Sequence, residues 1–193
     1  MTRWTTTVTR RLARAARSNP AAHLRRRDGS SAGCTIVLAQ AAERLGYARF
    51  WVAEHHANPG LAGTAPEILI AHLAARTQRI RLGSGGVLLP HYSPYKVAET
   101  FNLLAALAPN RIDLGIGKAP GGLPDATRAL RWRHALAESV AFDLLAELDR
   151  YLAAPETGSL RALPTPPAPP ERFLLGASPD SARTAAALGW RFV

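Results

Sequence analysis

The stretch RIRLGSGGVLLPHYSPYKVAE, residues 79 to 99, decides the fold. It opens on a short apolar run centred on Leu82 that reads as a buried strand, passes through Gly83-Ser84-Gly85-Gly86, and enters a helical apolar spacing that continues from about Tyr95 to Leu107. The same order of strand, loop and helix stands on both sides. Upstream, Arg49-Phe50-Trp51-Val52-Ala53 is rich in aromatic and β-branched residues. It leads through the polar loop Glu54 to Gly63 into a helix over 66–75, with Ile68, Leu69, His72 and Leu73 on its apolar side. Downstream, a strand centred on Leu114 leads into the loop Gly115 to Gly122 and a helix from about His134 to Leu152.

Strand centres at Trp51, Leu82 and Leu114 lie 31 and 32 residues apart, a period that suits βαβ units. A helix over 35–45 precedes them, with Gly46 at the expected left-handed stop. Phe173-Leu174-Leu175 is a further strand, Ser181 to Leu188 a further helix, and Trp190 to Val193 the opening of another strand. The five prolines between Leu163 and Pro170 read as a surface crossover inside one domain. Alternating α and β at this period means a parallel sheet, doubly wound or closed as a barrel. Strands are predicted near 49–53, 80–84, 111–116 and 172–176, forming an arc that does not close. Such an arc leaves an unpaired edge and is expected to expose interior side chains such as Trp51 and Leu114, which favours association.

Composition narrows the function classes. The chain has 193 residues and a net charge of +10, but residues 1–34 carry +7 of it, with eight arginines against Asp28 alone. The remaining 159 residues carry +3, and 22 of the 24 basic residues are Arg, a skew spread over the whole chain that says little about partners. Residues 1–34 read as a poorly ordered basic segment, with an organelle transit peptide or a nucleic-acid-binding tail as alternatives. No aromatic interleaving or helix-turn-helix pattern supports nucleic acid. No apolar run reaches the roughly 18 residues of a membrane span. Cys34 is the only cysteine, which excludes an internal disulfide and Cys-pair zinc sites and points to a cytoplasmic setting.

Four predicted strand ends carry polar groups. Glu54-His55-His56 directly follows the first strand; neighbouring side chains on extended backbone point apart, so one histidine at most faces a common pocket. A metal site would need His72 or His91 brought in, and no metal is expected. Gly85 and Gly86 allow a flat ligand to approach the backbone, although the run lacks the later residues of a phosphate-binding fingerprint. Lys118 lies in the Gly-rich loop, suited to a phosphate or carboxylate. Ser178 and Ser181 flank a strand-to-helix turn, where free amides favour a phosphate and plain N-capping is the alternative.

The runs RFWVAEHH, RIRLGSGGVLLPHYSPYKVAE and NRIDLGIGKAPGG, in this order and spacing, closely resemble the luciferase-like flavin-dependent monooxygenases, the superfamily of the bacterial luciferase α chain. The resemblance extends through RFLLGASPDSARTAAALG and covers Thr35 to Val193. It implies a (β/α)8 TIM-type barrel, here incomplete with five to six βα units, since eight units need roughly 250 residues. It also implies reduced FMN as cofactor, O2 and a small organic substrate, a flavin reductase as partner, and a possible homo-oligomer. A deazaflavin coenzyme used without O2 is the alternative chemistry, and a truncated, non-catalytic flavin-binding fragment is the alternative of another class.

Carried over by motif, His55 falls on the family's active-site histidine, with Glu54 before it, and the resemblance makes both candidate catalytic residues. Gly85 and Gly86 fall on the pair whose connecting peptide is commonly cis and lies against the flavin ring. Lys118 falls where relatives usually carry an Arg for the FMN phosphate. Ser178 and Ser181 fall on the later phosphate-binding turn, where Ala177 replaces a frequent acid.

Overall fold

The computed structural model describes residues 30–58, 61, 63–119, 121–130, 140–153 and 160–193. Residues 1–29 of the basic segment and 134–139 of the predicted fourth helix lie outside the described residues.

Short parallel strands alternate with helices. Helix α1 (Ser30–Arg44) leads to β1 (Arg49–Val52), α2 (Pro66–Ala74), β2 (Arg81–Ser84) and the two-residue β3 (Val87–Leu88). A 3-10 turn at Leu89–His91 connects to α3 (Pro94–Leu107) and β4 (Ile112–Gly117). Then come α4 (Pro124–Leu130), α5 (Val140–Leu152), β5 (Glu171–Leu174), α6 (Pro179–Ala187) and β6 (Arg191–Phe192). The main sheet order is β1-β2-β4-β5-β6, with β3 also on β4, and every pairing is parallel. Among the described residues β1 and β6 are the two ends of this order, so the sheet is an open arc. The family resemblance's incomplete barrel is the architecture observed.

Local chemistry accounts for the helix limits. Both α3 and α6 start at a Ser-Pro pair: the Ser93 and Ser178 hydroxyls accept from the backbone N–H three residues on, and Pro94 and Pro179 open the first turn. Gly46 adopts φ +77° after α1, where the chain must reverse toward β1. Among the described residues α1 already includes Ser30, five residues ahead of the predicted start at Thr35. Helix α4 was not predicted; its Pro-Asp start lies where the sequence reads as the end of a Gly-rich loop.

The outer sheet face packs on the helices. Leu82, Ile112, Leu114, Ile116 and Leu174 join Ile70, Leu73, Val97 and Phe101 in one buried cluster. Leu114 is fully buried, contrary to the expectation that it would be exposed on an open arc. The reason is parity: β4 is buried along its whole length, so hydrophobicity does not mark its faces, and Leu114 points to the helices while Asp113 points inward. Trp51, which does face inward, is half-buried.

At the N-terminal ends of the strands the inner face carries an ion network. Asp113, fully buried, accepts from Arg49 Nη1 at 2.6 Å, Arg81 Nε at 2.8 Å and Trp51 Nε1 at 2.8 Å. Glu171 receives Arg49 Nη2 at 2.8 Å, Arg81 Nη2 at 3.2 Å and Arg191 Nη1 at 3.0 Å. On the outside, Glu43 Oε1 accepts the backbone N–H groups of Gln78, Arg79 and Ile80 at 2.6–2.9 Å, tying α1 to the entrance of β2. The proline-rich crossover lies against α3, where Tyr95 Oη donates to the Arg161 carbonyl and Asn102 Nδ2 to that of Ala162.

Candidate functional site

Because the strands are parallel, the segments leaving β1, β2, β4 and β5 emerge on one edge of the sheet, opposite the ion network. All the polar groups singled out by motif lie on these segments.

The exit of β1 is held by Glu54. This carboxylate is buried, and both oxygens are engaged: Oε1 accepts from His56 Nε2 at 2.7 Å and Tyr92 Oη at 2.7 Å, and Oε2 from the Leu88 amide at 2.9 Å. Burial and the adjacent Glu54 carboxylate push the Tyr92 phenol well above its ordinary pKa, so it stays protonated and keeps donating. Glu54 thus joins the exit of β1 to β3 and to the segment after it.

The two histidines separate as their adjacency requires. His56 is half-buried beside Glu54, with its ring 5.9 Å from that of His91, whereas His55 is exposed. His55 Nδ1 lies 3.3 Å from the Gly121 carbonyl, and the backbone N–H groups of His55 and His56 donate to Gly63 and Gly121. A Nδ1–H donated to that carbonyl leaves Nε2 as the free acceptor of the neutral ring. His72 is exposed in the last turn of α2. Among the described residues no group of three His, Cys, Asp or Glu side chains is placed to hold a metal ion.

The exit of β2 is the Gly85–Gly86 peptide, which is cis. A Cβ on Gly86 would stand 2.8 Å from the Gly115 carbonyl oxygen and the Gly117 nitrogen, so only glycine lets β2 and β4 approach this closely. The result is a strip of backbone without side chains.

The exits of β4 and β5 meet in a cationic cluster. Lys118 Nζ lies 2.7 Å from Ser181 Oγ, which is 2.9 Å from Ser178 Oγ at the start of α6. Ser178 does serve as a plain N-cap, accepting the Ser181 amide at 3.2 Å, but it does not stand alone: Ser181, beside it, is met by Lys118 from just past β4, 63 residues away in sequence. Ala177 is exposed on the same turn. The donor set of an ammonium, hydroxyls and a helix N-terminus suits a phosphate, and the side-chain-free strip suits a flat ring, so the residues present fit a cofactor of the flavin or deazaflavin type.

The structure thus links Lys118 to Ser178 through Ser181 and draws His55 to the β4 exit through Gly121. Tyr92 and Asp113 were not singled out from sequence. Tyr92 lies within a quoted motif but carries no signal of its own; Asp113, an acid between Ile112 and Leu114 in a buried strand, was the readable one.

A family model described as luciferase-like monooxygenase matches residues 17–192, and the chain belongs to this family. The match begins within the basic N-terminal segment. N-acetyl-S-alkylcysteine monooxygenase of Bacillus subtilis (strain 168) is 52% identical over 164 residues, 82% of this chain and 49% of that protein. The crystal structure of apo-MsnO8 is 50% identical with a TM-score of 0.75, covering 82% of this chain and 48% of that one. Two others share the fold. The oxygenating constituent of 3,6-diketocamphane monooxygenase from Pseudomonas putida, in complex with FMN, is 23% identical at a TM-score of 0.68, covering 86% of this chain and 52% of that one. An F420-dependent secondary alcohol dehydrogenase is 19% identical at 0.52, covering 76% and 49%. The chain spans about half the length of the curated relatives it matches. Among the described residues no helix is long and apolar enough to cross a membrane.

Proposed function

We propose that this chain carries the flavin-binding half of a luciferase-like monooxygenase that uses reduced FMN and O2 on a small organic substrate. A separate flavin reductase delivers the reduced cofactor. The observation that carries this reading is the contact of Lys118 Nζ with Ser181 at the capped start of α6, on the same sheet edge as the Gly85–Gly86 strip. One element suits the phosphate, the other the ring.

The chemistry a bound reduced FMN supplies is two-electron activation of O2, one oxygen atom entering the substrate and the other leaving as water. Lys118, Ser178 and Ser181 bind the phosphate. Gly85 and Gly86 offer the ring a flat backbone. His55 holds or passes a proton at Nε2, with Nδ1 turned to the Gly121 carbonyl. Glu54 is a positioning residue, since its oxygens are engaged by His56, Tyr92 and Leu88 and none is left for a reacting atom.

Titration with FMN and with a deazaflavin coenzyme, followed by flavin fluorescence, tests the reading. FMN binding that weakens about tenfold or more in Lys118→Ala, while riboflavin binding is unchanged, is the expected result. Selective, tight binding of the deazaflavin would replace this reading with hydride transfer without O2. An N-acetyl-S-alkylcysteine is the first trial substrate, following the name of the 52% identical relative.

A further inference from the structure

We infer that Trp51 is a positioning residue for the flavin ring: its indole supports the Gly85–Gly86 peptide from the inner side of the sheet, and Asp113 fixes the indole. The inference rests on the flavin reading above and adds to it a residue that lies beneath the site.

In register, Trp51 pairs with Gly83 and Gly83 with Asp113, so three neighbouring strands place an indole, a bare backbone and a carboxylate side by side. The indole borders the space left by Gly83, which Asp113 shares, and by Gly85 just past β2. A Cβ on Gly83 would stand 3.0 Å from Trp51 Cδ1, and one on Gly85 3.3 Å from both Trp51 Cβ and Cε3. One side chain therefore underlies two successive inward positions, the second being the first residue of the proposed ring seat.

The orientation of that side chain is set from its other end. Trp51 Nε1 donates to Asp113 Oδ2 at 2.8 Å, and Asp113 is held in turn by Arg49 and Arg81. Phe173 packs against the indole in an edge arrangement, with ring centroids 4.7 Å apart. An indole tied at its N–H and packed against a second ring keeps one position. The indole thus stands between the ion network and Gly85, close enough to leave no room for a side chain there, and through it the network bears on where the seat lies.

Binding and spectroscopy of oxidised flavins test this. In Trp51→Ala, FMN and riboflavin are both expected to bind about tenfold more weakly, the scale of losing one aromatic support. The visible-region circular dichroism of the bound flavin should change as well. Trp51→Phe, which keeps a ring but loses the N–H, should recover part of the affinity with a dichroism still unlike that of the parent chain. Lys118→Ala should weaken FMN alone and leave the ring signal unmoved. Glu43→Gln, which loosens the outer α1–β2 tie, serves as the control for bulk destabilisation: it should lower the unfolding midpoint without touching affinity or dichroism. Unchanged flavin affinity and dichroism in both Trp51 variants would overturn the inference while leaving the flavin reading intact. Changes that Glu43→Gln reproduces would overturn it in favour of a purely structural Trp51. A parent chain that binds no flavin would overturn both.

Discussion

In an Asp113→Asn variant, donors from three side chains converge on a group that can accept on one side only. The carboxylate now receives Arg49 Nη1 and Trp51 Nε1 on one oxygen and Arg81 Nε and Nη2 on the other, at 2.6–2.8 Å. The amide keeps one of these oxygens and turns an NH2 toward a guanidinium on the other side. It also removes the one fully buried negative charge among three arginines and Glu171. Breaking a buried ion pair by removing one partner costs about 3–5 kcal/mol. The Arg49 and Arg81 side chains retain 19% and 20% exposure and can rehydrate in part, which selects the lower end, about 3 kcal/mol. For a chain of this size each kcal/mol moves the melting temperature by about 2–4 °C, so thermal unfolding followed by circular dichroism should shift down by about 6–12 °C. Arg191→Gln supplies the scale: that side chain is 62% exposed, and its loss should cost less than about 1 kcal/mol. Asp113→Asn unfolding within about 2 °C of the parent, or no lower than Arg191→Gln, would refute the assignment of the network's strength to its buried acid.

Acid should weaken the fold through two glutamates. Burial alone would raise the pKa of Glu43, but the backbone N–H groups of Arg79, Ile80 and Gln78 outweigh it and hold the value below the ordinary range; burial at Glu171 is likewise outweighed by Arg49, Arg81 and Arg191. A depressed folded-state pKa stabilises above the unfolded value, near 4.3, and the gain is lost as pH falls through the folded value. Glu43→Gln should therefore cost about 1–2 kcal/mol at pH 7, with a gap to the parent that narrows toward pH 3 in urea unfolding; a gap that widens on acidification would contradict the sign. Asp149 Oδ1 accepts from both Arg172 Nη1 and Trp190 Nε1, so Asp149→Ala should destabilise by about 1–3 kcal/mol and speed hydrogen exchange across α5, whereas uniform exchange changes over the whole sheet would disprove a local tie. Supplied with reduced FMN and O2, this chain should release mostly hydrogen peroxide, because an open arc does not exclude water from the ring, and His55→Ala should change little. Efficient oxygenation that vanishes in His55→Ala would mean that a closed site assembles.

Strands were legible wherever an apolar run was short and bounded. RFWV and IDLGIG fall within one residue of their predicted limits, since aromatic and β-branched residues between breakers leave little choice. The inward face was not legible, because a strand buried on both sides carries no alternation, and Leu114 was assigned to the wrong side. Motif resemblance singled out Lys118 and Ser181, but their contact joins residues 63 positions apart and needed the fold. The work of Glu54 was hidden for the same reason: two of its donors, the Leu88 amide and the Tyr92 hydroxyl, lie 34 and 38 residues away.

The ion network also bears on the order of folding. The Arg49–Glu171 bond spans 122 residues, while α2 with β2 and α6 with β6 close over short loops. Closing a long loop before its contacts repay the lost chain entropy is slow, so strand-helix units should form first and the network last. Interactions absent from the transition state act on the unfolding rate alone. Substitutions at Glu171 and Arg49 should therefore steepen escape from the native state and leave the refolding arm of a chevron plot nearly unmoved, which makes this ring of charge a latch on lifetime more than a guide to assembly.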